Sequence, residues 1–236
     1  MRKNITVIRL PRRPRAAAVL LPLLFLLALG LAPGRGPLQP ALAPALFGTE
    51  LVIDAGHGGS DPGMVGRDVL EKDVNLEVAR KLAEYCRGAG AGVALTREDD
   101  RELAGSKRED LAARAALAEE QGAAVFISLH CNSFVSDPRQ RGAQVFYAAG
   151  NDGGQRLAAC LQQSLSRELG NTERSALPHA DSYLLRQISG PAVIVELGFL
   201  SNTEEEELLA DPTYQWQLAW ALFRGLAEYM TGGGAG

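Results

Sequence analysis

Three short apolar runs in this chain each end on a polar residue able to do chemistry. They are Leu51-Val52-Ile53-Asp54-Ala55-Gly56-His57, Val125-Phe126-Ile127-Ser128-Leu129-His130 and Val193-Ile194-Val195-Glu196. Short apolar runs bounded by turn signals read as buried strands, and stretches of helical periodicity lie between them. Strands alternating with helices point to an α/β layer with a largely parallel sheet. The expected fold is a single α/β domain, a twisted, mostly parallel sheet flanked by helices on both faces. In open sheets of this kind ligands bind beyond the carboxyl ends of the strands. Parallel alignment of the three runs would therefore bring His57, His130 and Glu196 together, although they are far apart in the chain.

The pattern predicts further elements. Val74 to Cys86 suits a helix with Asp73 as N-cap, ended by Gly88 and Gly90. Arg108 to Gln121, Gly154 to Leu169 and Pro212 to Met230 also read as helices. Strands are expected at Val93–Leu95, Ala124–Leu129, Ala143–Tyr147 and Ala192–Val195, with a short one at Tyr183–Leu185. The acidic run Glu204 to Glu207 reads as the solvated opening of a helix, favoured by the helix dipole.

Charge is distributed unevenly. Seven of the 24 basic residues and none of the 28 acidic ones precede residue 49, which leaves a body of net charge −11. An acidic body argues against general nucleic-acid binding, which needs a basic surface to displace counterions. The basic stretch Arg2 to Arg15 followed by the apolar stretch Ala16 to Ala32 has the layout of a secretory signal or a membrane anchor, so residues 1–32 are assigned that role. The Pro-, Gly- and Ala-rich residues 33–48 read as a linker, 49–231 as the catalytic domain and 232–236 as a flexible tail. Either outcome for the first segment places the body outside the cytoplasm. Cys86, Cys131 and Cys160 are odd in number and widely spaced, so they read as buried free thiols and not as a disulfide or metal framework.

Two imidazoles and a carboxylate form a catalytic zinc set that leaves a fourth position for water. The chain has three histidines, and two of them, His57 and His130, sit at strand ends. The carboxylate should come from a nearby loop, where Glu71 is placed; it could equally serve only to favour the helix that follows it. Glu196 lies inside the apolar stretch Ala192 to Leu200. A carboxylate buried there has a raised affinity for protons, which suits a general base near neutral pH. The alternative is a buried salt bridge.

At these residues the chain resembles the zinc-dependent N-acetylmuramoyl-L-alanine amidases of the third amidase family. The matching stretches are Ile53-Asp54-Ala55-Gly56-His57-Gly58-Gly59, Leu70-Glu71-Lys72-Asp73, Ser128-Leu129-His130-Cys131-Asn132 and Val195-Glu196-Leu197-Gly198-Phe199-Leu200-Ser201-Asn202. The resemblance implies that His57, Glu71 and His130 hold one zinc ion (Zn2+) and that Glu196 is the catalytic carboxylate. The short body and the stretch Arg174 to Leu185, with His179, are similar to the germination-specific spore-cortex (CwlD) branch. In that branch the amidase strips the stem peptide from muramic acid so that a deacetylase can complete muramic-δ-lactam. The implied partners are peptidoglycan glycan strands with stem peptides, and an activator protein that the sequence does not identify. A vegetative wall amidase, a zinc peptidase acting on the stem peptide and a non-catalytic peptidoglycan-binding protein are the alternative readings.

Asn132, Ser133, His179 and Asn202 are further candidates for substrate contact. Small polar residues near strand ends also commonly satisfy loop backbone groups. Strand alternation turns Cys131 away from His130 and so argues against a ligand role for it. The stretch Ser133 to Arg141 is short, whereas division amidases of the family carry a covering insertion there, so the cleft is expected to be open.

Overall fold

The computed structural model describes residues 43–232. The proposed signal or anchor, most of the linker and the tail beyond residue 232 lie outside the described residues. Among the described residues six strands form one sheet in the order β2-β1-β3-β6-β4-β5. They are β1 (Glu50–Ala55), β2 (Gly92–Leu95), β3 (Val125–Asn132), β4 (Gln144–Ala148), β5 (Leu177–His179) and β6 (Ala192–Phe199). The first three strands and β6 run parallel, and β4 pairs antiparallel with β6 while lying parallel to β5. The helices are α1 (Glu71–Gly88), α2 (Lys107–Glu120), α3 (Asp152–Leu169), α4 (Tyr183–Gln187), α5 (Thr203–Ala210) and α6 (Pro212–Met230).

The central strands are apolar on both faces because both faces are covered. Leu51, Ile53, Ile127, Leu129, Val193 and Val195 pack with apolar residues of α1, α3 and α6. The alternate positions Val52, Phe126 and Ala192 pack instead with Ala115 and Ala118 of α2 and Leu184 and Leu185 of α4. Strand alternation then puts Asp54, Ser128, His130 and Glu196 on the second face, at its carboxyl end. The last linker residues also join the body: Ala43–Leu46 form a 3₁₀ turn, and Leu46 is buried in the first core.

Several boundaries differ from the sequence reading. The first helix begins at Glu71, with Leu70 at its N-cap making no side-chain cap bond, so Asp73 is helical and not the cap. Tyr183–Gln187 is a helix turn and not a strand: Ser182 Oγ caps it by accepting from Leu185 N–H, and Leu184 and Leu185 both enter the second core. A short apolar run does not distinguish the two states, and the sheet edge here is taken by Leu177–His179. The acidic run is only half solvated. Glu205 accepts backbone N–H bonds from Gly142 and Phe199 at 2.8 Å each, and Glu206 accepts one from Asp68 at 2.8 Å. Both are buried, so these carboxylates tie loops to α5 and do not merely solvate its start.

Candidate active site

β1 delivers the chain into a tight glycine loop. A side chain at Gly56 would run into the ring of His130, so only glycine lets that imidazole pack over the loop. His57 follows with φ +63°, a left-handed conformation that is unfavourable for an L-residue and must be held by its surroundings. Two buried guanidinium groups hold it. Arg114 Nη2 donates to the His57 carbonyl at 2.8 Å and its Nη1 to the Ala55 carbonyl at 2.8 Å, while Arg97 donates to the carbonyls of Ala55 (2.9 Å) and Gly56 (3.1 Å). Asp54 balances Arg114 at 2.8 Å and also accepts from Thr96 Oγ1 at 2.7 Å and Ser128 Oγ at 2.5 Å.

The His57 side chain is oriented from outside and used from inside. Its Nδ1 lies 2.9 Å from Asp61 Oδ2, and its Nε2 lies 3.1 Å from Glu71 Oε1. An ionised Asp61 can only accept, so it fixes a hydrogen on Nδ1 and turns Nε2 inward toward Glu71. Gly63 N–H donates to Asp61 Oδ1 at 3.1 Å, which pins that carboxylate in turn. Burial opposes protonation of His57, but the neighbouring Glu71 and Asp61 carboxylates outweigh it and raise its pKa.

Glu71 is buried at the start of α1. Its Oε1 lies 3.0 Å from His130 Nδ1 and accepts from Cys131 N–H at 3.0 Å, and its Oε2 accepts from Met64 N–H at 2.7 Å. Gly63, at φ +66°, leaves room for it, since a Cβ there would sit 2.6 Å from Oε2. Burial alone would raise the Glu71 carboxyl, but hydrogen bonds and charge from His130 and His57 hold it well below the ordinary carboxylate range.

Glu196 lies beside His130 across the β3–β6 ladder. Its Oε2 is buried and has no hydrogen-bond partner among the described residues. Burial pushes its pKa up to about 7; the nearby His130 and His57 oppose that rise and Glu71 adds to it. One carboxyl of the pair thus stays ionised while the other is poised to exchange a proton near neutrality.

His57, Glu71 and His130 each offer one donor atom, and these atoms all lie within 4.8 Å of one another. Donors around a tetrahedral zinc, with bonds of about 2.0–2.1 Å, stand about 3.3 Å apart. The observed 3.0–3.1 Å contacts between them are close to that spacing, so the set fits a single small cation. A cavity of about 440 Å³ opens beside His57 and His130, with Asp61, Glu102 and Lys107 on its wall.

The other sequence candidates are placed differently. Asn132 Oδ1 accepts from Ser133 N–H at 2.7 Å, and Asn202 Oδ1 caps α5 by accepting from Glu204 and Glu205 N–H. His179 is exposed at the end of β5, level with Ala148 and edge-on to Phe146, on the antiparallel side of the sheet. Cys131 is buried on the face opposite His130, its Sγ 3.6 Å from Asn75 Oδ1, and burial pushes its thiol pKa well up. All three cysteines are buried. Sequence reasoning missed Asp61, Asn75, Arg97 and Arg114. A polar residue four positions after His57 in a glycine loop was the available sign of Asp61, and an arginine on the apolar side of an Ala-rich helix that of Arg114.

A His-Glu-His donor set beside a buried carboxylate, at the carboxyl ends of parallel strands, is an arrangement suited to hydrolysis. Residues 51–228 match the model of the Amidase_3 family, N-acetylmuramoyl-L-alanine amidase. The chain belongs to this family and is an enzyme of the amidase class. It is 39% identical over 194 residues to the germination-specific N-acetylmuramoyl-L-alanine amidase of Bacillus subtilis, covering 79% of this chain and 81% of that protein. Its fold superimposes on the CwlD amidase from Clostridioides difficile, solved in complex with the GerS lipoprotein, with a TM-score of 0.74 and 36% identity over 78% of this chain and 98% of that one. The catalytic domain of CwlV from Bacillus (Paenibacillus) polymyxa gives a TM-score of 0.70 at 32% identity, with 78% and 98% covered. Among the described residues no helix is long and apolar enough to cross a membrane.

Proposed function

We propose that this chain is a zinc-dependent amidase of the spore cortex, hydrolysing the amide between N-acetylmuramic acid and L-alanine, with His57, Glu71 and His130 as metal ligands and Glu196 as the base. The observation that carries the reading is the unpartnered Glu196 oxygen, buried beside three converged donor groups. A zinc ion held by those donors supplies Lewis acidity toward the scissile carbonyl and toward water. Glu196 takes the proton of the attacking water and delivers it to the departing α-amine of L-alanine, a transfer its raised pKa suits. Glu71 stays anionic and orients both imidazoles, and Asp61 keeps the hydrogen on His57 Nδ1.

The spore-cortex role rests on similarity to the germination-specific enzyme of Bacillus subtilis, and export rests on the basic and apolar N-terminal layout. The relative solved with a lipoprotein supports an accessory protein as a regulatory partner here as well. Mass spectrometry of muropeptides after incubation with the zinc-loaded protein tests the reaction. The expected products are free stem peptides with an L-alanine amine, together with intact sugar chains that have lost them. Cleavage within the stem peptide would instead assign a peptidase.

Asp61 provides a test of the metal assignment. Replacing a carboxylate that supports a metal-ligating histidine lowers affinity by about 10–100-fold. Asp61→Asn is therefore expected to weaken zinc binding by about that factor in a competitive chelator titration. The side chain is half exposed, so the fold should survive. Unchanged zinc affinity would remove His57 Nε2 from the ligand set.

A further inference from the structure

Asn75 is wholly buried on α1, one turn after Glu71. Its neighbours on the buried face of that helix include Val74, Val78, Ala79 and Leu82, so an apolar side chain would be the ordinary choice at this position. An amide placed there is costly unless its donors and its acceptor are met. Its hydrogen-bond partners among the described residues all belong to the site. The Nδ2 amide donates to the Gly56 carbonyl at 3.2 Å and, more loosely, to Glu71 Oε1 at 3.4 Å. The Oδ1 atom faces Cys131 Sγ at 3.6 Å, and burial keeps that thiol protonated and able to donate. Gly56 immediately precedes His57 and Cys131 immediately follows His130. One side chain therefore touches all three segments that carry the donor groups.

The partners also fix which way the amide faces. Turned over, it would set Oδ1 against the Gly56 carbonyl and the Glu71 carboxylate, two groups that can only accept. Both of its targets matter to the donor set. Glu71 Oε1 is the oxygen that faces the imidazoles, 3.1 Å from His57 Nε2 and 3.0 Å from His130 Nδ1. Gly56 is the residue over which the His130 ring packs. Hydrogen bonds to a ligating carboxylate orient it, and metal affinity depends on that orientation. We propose that Asn75 is a positioning residue of the metal centre, its amide holding the Glu71 carboxylate and the Gly56 carbonyl so that Oε1 and the two imidazole nitrogens converge. Cys131 is then the donor that anchors the other end of that amide. The inference rests on the zinc reading given above.

Competitive chelator titration of the full chain with zinc tests it, with denaturant unfolding of the metal-free proteins measured alongside. Asn75→Leu roughly keeps the volume of the side chain and removes its hydrogen bonds; it is expected to lower zinc affinity about tenfold. Asn75→Ala adds no bulk, so it decides the matter with the same expected loss should the leucine variant fail to fold. Ser164→Ala separates positioning from general stability. Ser164 is buried on α3 and donates to the Ala221 carbonyl of α6 at 2.8 Å, so its loss is expected to weaken the fold and leave zinc affinity unchanged. Wild-type zinc affinity in a folded Asn75 variant, or an equal loss in Ser164→Ala, would overturn the positioning role and leave the zinc reading standing. A wild-type protein that binds no zinc would overturn both.

Discussion

Glu196→Gln is expected to lose at least about a hundredfold in turnover while becoming more stable in its metal-free form. The two effects have one physical source. Glutamine cannot accept the proton of the attacking water, so the chemical step loses its base. The same replacement removes a carboxyl that the fold holds at a disadvantage, because its Oε2 is buried with no partner and burial lifts its pKa from 4.5 to about 7. Between these values the folded state binds more protons than the unfolded one, so stability falls as pH rises. Above pH 7 the penalty is fully developed and amounts to about 3 kcal/mol. Urea unfolding in the presence of a chelator should therefore show the Gln variant gaining on wild type from pH 5 to pH 8, and little difference below pH 4.5. Near wild-type turnover would exclude Glu196 as the base. Equal stability at pH 8 would show that the carboxylate has a partner or solvent access.

Arg114→Met should be the most destabilising single change in the site region, by about 3–5 kcal/mol, because it strands a buried charge. Asp54 is wholly buried, and Arg114 is its ionic partner at 2.8 Å. Burial alone would raise the Asp54 carboxyl, but Arg114, with help from Ser128 and His130, holds it below its ordinary value. That contribution is present above the unfolded-state pKa near 3.8 and is lost as pH falls through the lower folded-state value. Arg114 also grips the carbonyls of Ala55 and His57, so the left-handed turn at His57 loses its main support in the variant. Arg114→Lys should recover part of the stability, since an ammonium can meet Asp54 but cannot also span both carbonyls. Adding Asp54→Leu to Arg114→Met should likewise restore some of the loss, because no charge is then left unpaired. Denaturant unfolding of the four proteins measures this. A loss under about 1 kcal/mol for Arg114→Met would mean that water reaches Asp54.

Much of this molecule was legible before any coordinates. Short apolar runs closed by glycine or a polar residue marked β1, β3 and β6, and the 3.6-residue period marked α1, α3 and α6. Those signals are local, and burial on both faces leaves them little room for ambiguity. His57, His130 and Glu196 could be picked out because histidines and carboxylates rarely interrupt apolar strand ends without a reason, whereas Glu71, in a loop, was singled out by the family resemblance. Tyr183–Gln187 was misread because three apolar residues carry no period, and its state was decided by Ser182 and by the core beneath it. Glu205 and Glu206 looked solvated because charge alone does not reveal a buried backbone N–H waiting across the chain.

The amino-acid order by itself determined where the buried strands and periodic helices lie and put His57, His130 and Glu196 at strand ends, since both depend on apolar period and residue type along a continuous stretch. Only the tertiary structure decided that β4 turns antiparallel, that Asp61 orients His57, and that Arg97 and Arg114 clamp the glycine loop. Each of these depends on a partner brought close by folding. Asp54 and Arg114 stand 60 positions apart in the chain, and nothing in that stretch marks their 2.8 Å contact until the helix lies down on the sheet.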